Sequence, residues 1–141
     1  PYTDSNYRTQ GYGMTTYARR GGYGGAPHNG IDLVSGLGSA IHSIGDGTIA
    51  AAGYNSGFGN WVAVRHDNDM VSVYGHMRSA ATITVGTRVN HDSILGYEGA
   101  TGNVTGAHLH LSIYKDFFTY LKNGDFYFNY FNGSLNPLDY M

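Results

Sequence analysis

Glycine content is the feature that most limits how this chain can fold. The 141 residues include 22 glycines, roughly twice the usual share. Glycine adopts the positive φ angles of turns and bulges without steric cost, and few long helix-forming runs separate the glycines. The sequence therefore predicts a mainly β domain in which tight turns join short strands.

Short β-rich runs recur from residue 31 onward. They are Gly47–Gly53, Trp61–His66, Met70–Met77, Ala81–Val85, Ser93–Gly96 and Ala107–Tyr114. The connecting segments are rich in Gly, Asn and Asp, which is typical of hairpin turns. We therefore predict an antiparallel, sandwich-like β-sheet with long Gly-rich loops and little helix.

The two ends of the chain are predicted to be less regular. Residues 1–27 are rich in Gly and Tyr and are interpreted as a loop region. Residues 115–124 allow one short helix that ends at Asn123-Gly124, within an aromatic C-terminal tail, 115–141. With no linker or repeat, residues 1–141 are expected to form a single domain.

Composition excludes several classes of function. The net charge is −2, and no cluster of basic residues exceeds Arg19-Arg20, so nucleic acid is an unexpected partner. No run approaches about 18 consecutive apolar residues, so no membrane span is predicted. The chain starts at Pro1 without a basic or apolar leader, as expected of a mature or excised fragment from which any export signal has been removed.

The absence of cysteine leaves histidine and carboxylates as the available metal ligands, and the chain has seven histidines. In the segment from Gly106 to Tyr114, three apolar residues alternate with polar ones. As a strand, this segment places His108 and His110 on one face, about 6.8 Å apart, where both can reach one ion. A polar strand face with two solvated histidines is the alternative.

Two further segments carry candidate groups. His28 and Asp32 can share one face of a turn that leads into a strand, either as metal ligands or as a hydrogen-bonded pair. With the His-x-His run they make the set of two histidines and one carboxylate that catalytic zinc sites use. His76 follows Gly75, which is expected to break a strand, and can reach into a cleft or lie in a surface turn.

Three motifs in this order resemble the lysostaphin-type (LytM-like) zinc metallopeptidases, which are peptidoglycan endopeptidases. They are HNGID at His28 to Asp32, YGH at Tyr74 to His76, and TGAHLH at Thr105 to His110. The likeness covers roughly residues 28–114 and the closing Asn136-Pro137-Leu138. Departures are Ala107, where that family often has proline, and a longer aromatic segment at 115–134.

The resemblance implies that one Zn²⁺ per chain lies in a cleft bordered by the Gly-rich loops. His28, Asp32 and His110 are then the zinc ligands, and His76 and His108 are the catalytic histidines that act with a zinc-activated water. His108 is expected to be the general base and His76 to stabilise the oxyanion, although the reverse stays open. Other candidates are Tyr23, as a transition-state group, and three histidines with structural or solvated roles, His42, His66 and His91.

The function predicted on this basis is a zinc-dependent endopeptidase that cuts stem peptides or cross-bridges of peptidoglycan. It is expected to act outside the cell, at the cell wall, as a monomer. The alternative is a non-catalytic LytM-like scaffold, or a cell-wall binding or metal-storing module that keeps the zinc site. The presence of all five site residues favours the enzyme, and the bond that is cut stays open.

Overall fold

The computed structural model describes residues 7–10, 29–102, 104, 106–128 and 134–139. This part of the chain forms strands and a single short 3-10 helix. The strands are β1 Tyr7–Gln10, β2 Ile31–Val34, β3 Ala40–His42, β4 Gly47–Asn55, β5 Gly59–His66, β6 Val71–Met77, β7 Arg88–Val89, β8 Ile94–Tyr97, β9 Leu109–Tyr114, β10 Thr119–Lys122, β11 Asp125–Phe128 and β12 Ser134–Leu135, and the helix is η1 Pro137–Asp139. The prediction of a mainly β fold is confirmed. Within the described ranges, no helix has the length and apolar character needed to cross a membrane.

One eight-stranded sheet organises the molecule. Its order is β1-β2-β9-β6-β5-β4-β7, with β12 also paired to β9, and every pairing is antiparallel. The neighbours β2, β9 and β6 come from three distant parts of the sequence. Their side chains therefore meet on a common face although the sequence separates them by dozens of residues.

Each face of the large sheet is covered by its own two-stranded sheet. The β3–β8 pair covers what we call the aliphatic face, where Ile41 and Leu95 pack against sheet residues Ile31, Leu33, Ile49, Val62, Val64, Leu109 and Leu111. The β10–β11 pair covers the aromatic face, whose buried residues are Ala51, Trp61, Ala63, Val71, Val73, Tyr114 and Phe128. These buried apolar side chains supply most of the driving force for folding.

The helix predicted for residues 115–124 is wrong, because this segment forms strand β10 and the turn into β11. Asn123 and Gly124 have φ angles of 53° and 85° and connect the paired residues Lys122 and Asp125. Two consecutive positive φ angles in a two-residue loop match the twist of a β-hairpin. The hairpin also buries Phe128 on the aromatic face.

Two other predictions need correction. Residues 81–85 form no strand, and the chain turns at Val85-Gly86, where Gly86 has a φ of 95°. Residues 7–10, inside the predicted N-terminal loop region, pair with β2 as strand β1. The other residues of 1–27 lie outside the described residues.

Candidate metal and catalytic site

Asp32 and His110 meet because β2 and β9 are neighbours in the sheet. The two residues are paired in the register of these strands, and Nδ1 of His110 lies 3.1 Å from Oδ1 of Asp32. Nε2 of His108 lies 3.6 Å from the same carboxylate oxygen. The side chains of His110, Asp32 and His108 are 3%, 12% and 18% exposed. Both histidines thus lie on one face of the strand and contact one carboxylate.

The start of β2 is shaped so that it can lie close to β9. A side chain at Gly30 would overlap the carbonyl oxygen of Leu111 and lie 3.1 Å from Nε2 of His110. Only glycine leaves that space open. The neighbouring Asn29 is buried and donates a hydrogen bond from Nδ2 to the hydroxyl of Tyr114 at 2.8 Å. These contacts fix the backbone that leads into Asp32.

His76 reaches the site through a β-bulge in β6. Asn60 pairs with Met77 and Val62 with Tyr74, so Gly75 and His76 together oppose the single residue Trp61. His76 has a φ of 59°, a conformation that is uncommon for residues other than glycine. Such a bulge redirects the side chains that follow it.

The bulge decides which face His76 occupies. Strict alternation along β6 would place His76 with Tyr74 on the aliphatic face. Instead its ring centroid lies 4.6 Å from that of His108 and 6.0 Å from that of His110, while Met77 returns to the aliphatic core. The strand break predicted at Gly75 is therefore a bulge inside a continuous strand.

Hydrogen bonds to backbone carbonyls orient two of the three imidazole rings. Nδ1 of His76 lies 2.7 Å from the carbonyl oxygen of Thr101, and Nδ1 of His108 lies 3.0 Å from that of Gly106. A carbonyl oxygen only accepts, so in both rings Nδ1 carries the proton and, in the neutral form, Nε2 is an acceptor. His110 differs, because its Nδ1 faces the carboxylate of Asp32.

The site is apolar around these polar groups. The Phe58 ring lies 5.0 Å from the His110 ring and 6.1 Å from the His76 ring, and it packs on Phe128 at 4.8 Å. Burial is the main reason that the pKa of His76 falls to about 3, and repulsion from His110 and His108 lowers it further. The Thr101 carbonyl and Asp32 oppose this shift. His76 is therefore neutral near pH 7.

The donor atoms suit a cation such as Zn²⁺. Two ligands of a tetrahedral zinc ion, each at about 2.0–2.2 Å, lie about 3.3–3.6 Å from one another. The distances of 3.1 and 3.6 Å from Asp32 to His110 and His108 are close to that value. Within the described part of the chain, no three His, Cys, Asp or Glu side chains form a complete metal site. His28, the remaining predicted ligand, lies outside the described residues, as does Tyr23.

The other predicted histidines bond to groups outside this site. His66 lies 2.8 Å from both the carbonyl oxygen of Asp46 and the hydroxyl of Ser72. His42 contacts the carbonyl oxygen of Asp92, and His91 is exposed. Three residues to which the sequence analysis gave no role in the site, Asn29, Phe58 and Thr101, contact the site or its supporting backbone. The neighbouring glycines, Gly30, Gly59 and Gly102, are the sequence feature that could have indicated these close contacts, because a side chain at any of them would overlap the adjacent backbone.

Sequence comparison identifies relatives that span this site. The model of the family described as Peptidase family M23 matches residues 26–125. Peptidoglycan DD-endopeptidase ShyC of Vibrio cholerae is 40% identical over 83 residues, which are 59% of this chain and 19% of that protein. Glycyl-glycine endopeptidase ALE-1 of Staphylococcus capitis is 37% identical over 108 residues, 75% of this chain and 29% of that protein. The chain thus spans less than a third of the length of these relatives.

Solved structures show the same architecture. The catalytic domain of the antimicrobial peptidase lysostaphin from Staphylococcus simulans superimposes with a TM-score of 0.77 at 25% identity, covering 95% of this chain and 90% of that one. The catalytic domain of an alanine-to-histidine mutant of the prophage-encoded M23 protein EnpA from Enterococcus faecalis gives a TM-score of 0.73 at 27% identity, covering 99% of this chain and 95% of that domain. The resemblance inferred from the three motifs is confirmed, and the chain belongs to peptidase family M23.

Proposed function

We propose that this chain is a zinc-dependent endopeptidase that hydrolyses peptide bonds in the stem peptides or cross-bridges of peptidoglycan. The observation that carries the proposal is the convergence of Asp32, His76, His108 and His110 on one apolar-walled site. Membership of peptidase family M23 supports peptide hydrolysis. The name of ShyC, a peptidoglycan DD-endopeptidase, supports a cell-wall substrate, and that of ALE-1, a glycyl-glycine endopeptidase, supports the cleavage of an internal peptide bond.

His28, Asp32 and His110 are proposed to hold one Zn²⁺. The contact between Asp32 and Nδ1 of the buried His110 supports two members of this set, and the HNGID motif contributes the third. When bound, zinc lowers the pKa of a water ligand and polarises the scissile carbonyl. His108 is placed outside the set on the family resemblance, and its side chain, 18% exposed, is the most exposed of the three.

His108 is proposed to be the general base. With Nδ1–H held by the Gly106 carbonyl, its Nε2 can accept the proton of an attacking water and deliver it to the leaving amine. Burial lowers the pKa of His76, so His76 does not compete with His108 for that proton. Positioned proton transfer of this kind typically contributes 10²–10⁴-fold to the rate.

For His76 we propose a role that differs from the oxyanion donor expected from the sequence. That role needs a proton on Nε2, whereas the ring keeps its proton on Nδ1 and its lowered pKa disfavours a second one. An unprotonated Nε2 can accept a hydrogen bond from the nucleophilic water. His76 then orients the water while His108 takes its proton.

Residues 1–141 are proposed to be a single catalytic domain that acts as a monomer outside the cell, at the cell wall. The lysostaphin catalytic domain, of which this chain covers 90%, supports the extent of the domain. The peptidoglycan substrate named for ShyC supports the location.

The test is a digestion of purified cell walls, read as turbidity loss, released amines and muropeptide masses. We expect amine release that a chelator abolishes and added zinc restores, with Asp32→Asn as the inactive control. Muropeptides of known cross-bridge identify the bond that is cut. Binding to the walls without any amine release would favour the non-catalytic module instead.

A further inference from the structure

The segment Gly99–Gly102 lies beside the site and contacts both predicted catalytic histidines. The carbonyl oxygen of Gly99 accepts a hydrogen bond from the backbone N–H of His108 at 3.1 Å. The carbonyl oxygen of Thr101 accepts one from Nδ1 of His76 at 2.7 Å. Thr101 thus contacts the imidazole of His76 through its backbone, which leaves its side chain for another purpose.

The Thr101 hydroxyl joins the two strands that form the bulge. It donates to the carbonyl oxygen of Met77 at 2.6 Å and accepts from the backbone N–H of Asn60 at 3.1 Å. Asn60 and Met77 are the register pair next to the bulge that contains His76. One side chain therefore fixes the position of the carbonyl on which the His76 ring depends.

Two glycines let the segment approach this closely. Gly59 and Gly102 have φ angles of 64° and 84°. A side chain on Gly59 would overlap Thr101, and one on Gly102 would overlap the backbone nitrogen of Gly59. The two loops pack backbone against backbone, so Thr101 has little freedom to move.

We propose that Thr101 is a positioning residue whose hydroxyl holds its own carbonyl against His76 and thereby keeps that ring in the Nδ1–H tautomer. A buried N–H without an acceptor is unfavourable. If the carbonyl is displaced, the ring can move its proton to Nε2, and Nε2 is then no longer an acceptor. The catalytic consequence rests on the proposed function, whereas the tautomer itself does not.

The experiment compares Thr101→Val, which removes the hydroxyl at similar volume, with Thr101→Ser, which keeps it. Thr84→Val, at an exposed position, is the matched control. The ¹⁵N shifts of the His76 ring distinguish a protonated from an unprotonated nitrogen and are recorded on the wild type and each variant. Amine release from cell walls gives kcat and KM.

We expect Nδ1–H in the wild type, Thr101→Ser and Thr84→Val, and a substantial Nε2–H population in Thr101→Val. The kcat of Thr101→Val should fall at least about tenfold, with KM changed less than about twofold, because only orientation is lost. Thr101→Ala, which also lacks the hydroxyl, takes the place of Thr101→Val if that variant does not fold.

Several results would overturn the proposal. A wild-type His76 that carries its proton on Nε2 excludes it without any variant. An unchanged His76 tautomer or an unchanged kcat in the variant that lacks the hydroxyl also excludes it. A Thr101→Ser variant that behaves like Thr101→Val excludes it as well. If the wild type releases no amines, the proposed function fails, and the tautomer comparison still decides the role of Thr101.

Discussion

At the scale of single residues, His76 combines an uncommon backbone conformation with deep burial. Its φ of 59° and the bond from its ring to Thr101 direct an imidazole into a site that already contains two others. A histidine that is buried without a carboxylate partner of its own loses affinity for protons. The protonation of His76 is therefore linked to the stability of the whole fold.

The first prediction concerns pH and stability in the chelator-treated protein. The folded pKa of His76 is about 3, below the unfolded value of about 6.5. Between these two values the unfolded chain binds a proton at His76 that the folded chain excludes. The contribution of neutral His76 to folding stability is therefore complete above about pH 6.5 and is lost as the pH falls toward 3. The free energy of unfolding should decrease by about 1.4 kcal/mol per pH unit in this window.

Denaturant unfolding at pH 7 and pH 5 measures this change. His76→Gln should reduce the difference in the free energy of unfolding between pH 7 and pH 5 by about 2 kcal/mol. His91→Gln, at an exposed position, should leave that difference unchanged. An NMR titration of His76 with a midpoint near 6.5 would contradict the prediction.

The second prediction separates metal ligands from catalytic histidines. His76→Ala and His108→Ala should fold, retain zinc, and lose about 10²–10⁴-fold in kcat, because neither ring is a proposed ligand. Asp32→Ala should instead lose zinc affinity. Elemental analysis of each purified variant, beside its rate of amine release, makes the comparison. If His108→Ala loses as much zinc as Asp32→Ala does, the assignment of His110 as a ligand and His108 as the general base is wrong.

At the scale of elements, the β10–β11 hairpin supports the floor of the site. Phe128 contacts Phe58, Trp61, Tyr114 and Phe117 through ring centroids 4.8–6.3 Å apart. Phe58 in turn packs against the His110 ring. The aromatic segment that departs from the family resemblance is thus part of the core beneath the site.

The third prediction follows from this packing. Phe128→Ala removes a ring that is 2% exposed and should destabilise the fold by about 3–5 kcal/mol. Phe118→Ala, on the same hairpin segment but 52% exposed, should cost less than about 1 kcal/mol. Chemical denaturation of the two variants provides the measurement. Equal losses would mean that the hairpin does not pack as described.

At the scale of the whole molecule, the proposed zinc ligands connect parts of the chain that are far apart in sequence. Asp32 and His110 lie on the neighbouring strands β2 and β9, and His28 precedes β2 in the sequence. A ligand that binds only the folded state stabilises that state by mass action. Zinc is therefore expected to hold β2 against the centre of the sheet.

The fourth prediction is a zinc-dependent rise in thermal stability. With free zinc at about 1,000 times Kd, the folded state should gain about 4 kcal/mol over the chelator-treated protein. Asp32→Ala should abolish most of this gain, while His76→Ala should keep it. Calorimetry with and without zinc tests both statements. A melting temperature that zinc does not change would argue against a site that bridges these strands.

Some features of the protein follow from local sequence. The alternation of Leu109, Leu111 and Ile113 with His108 and His110 predicts a strand with both imidazoles on one side, and the strand is present. The motifs with His28, His76 and His108 identify the family without any structure. Local patterns were misleading at residues 115–124, where the Asn123-Gly124 turn can end a helix or close a hairpin. The burial of Phe128 against distant rings selected the hairpin.

By itself the sequence determined the β character of the chain and the residue types of its site, because strand periodicity, turn chemistry and ligand chemistry are local properties. Only the tertiary structure decided which face His76 occupies. Strict alternation points its side chain away from the site, and the bulge opposite Trp61 reverses that direction. The contacts with Phe58 and Thr101, which are distant in sequence, depend on the pairing of strands and the packing of glycines in two separate loops. No local pattern encodes such contacts.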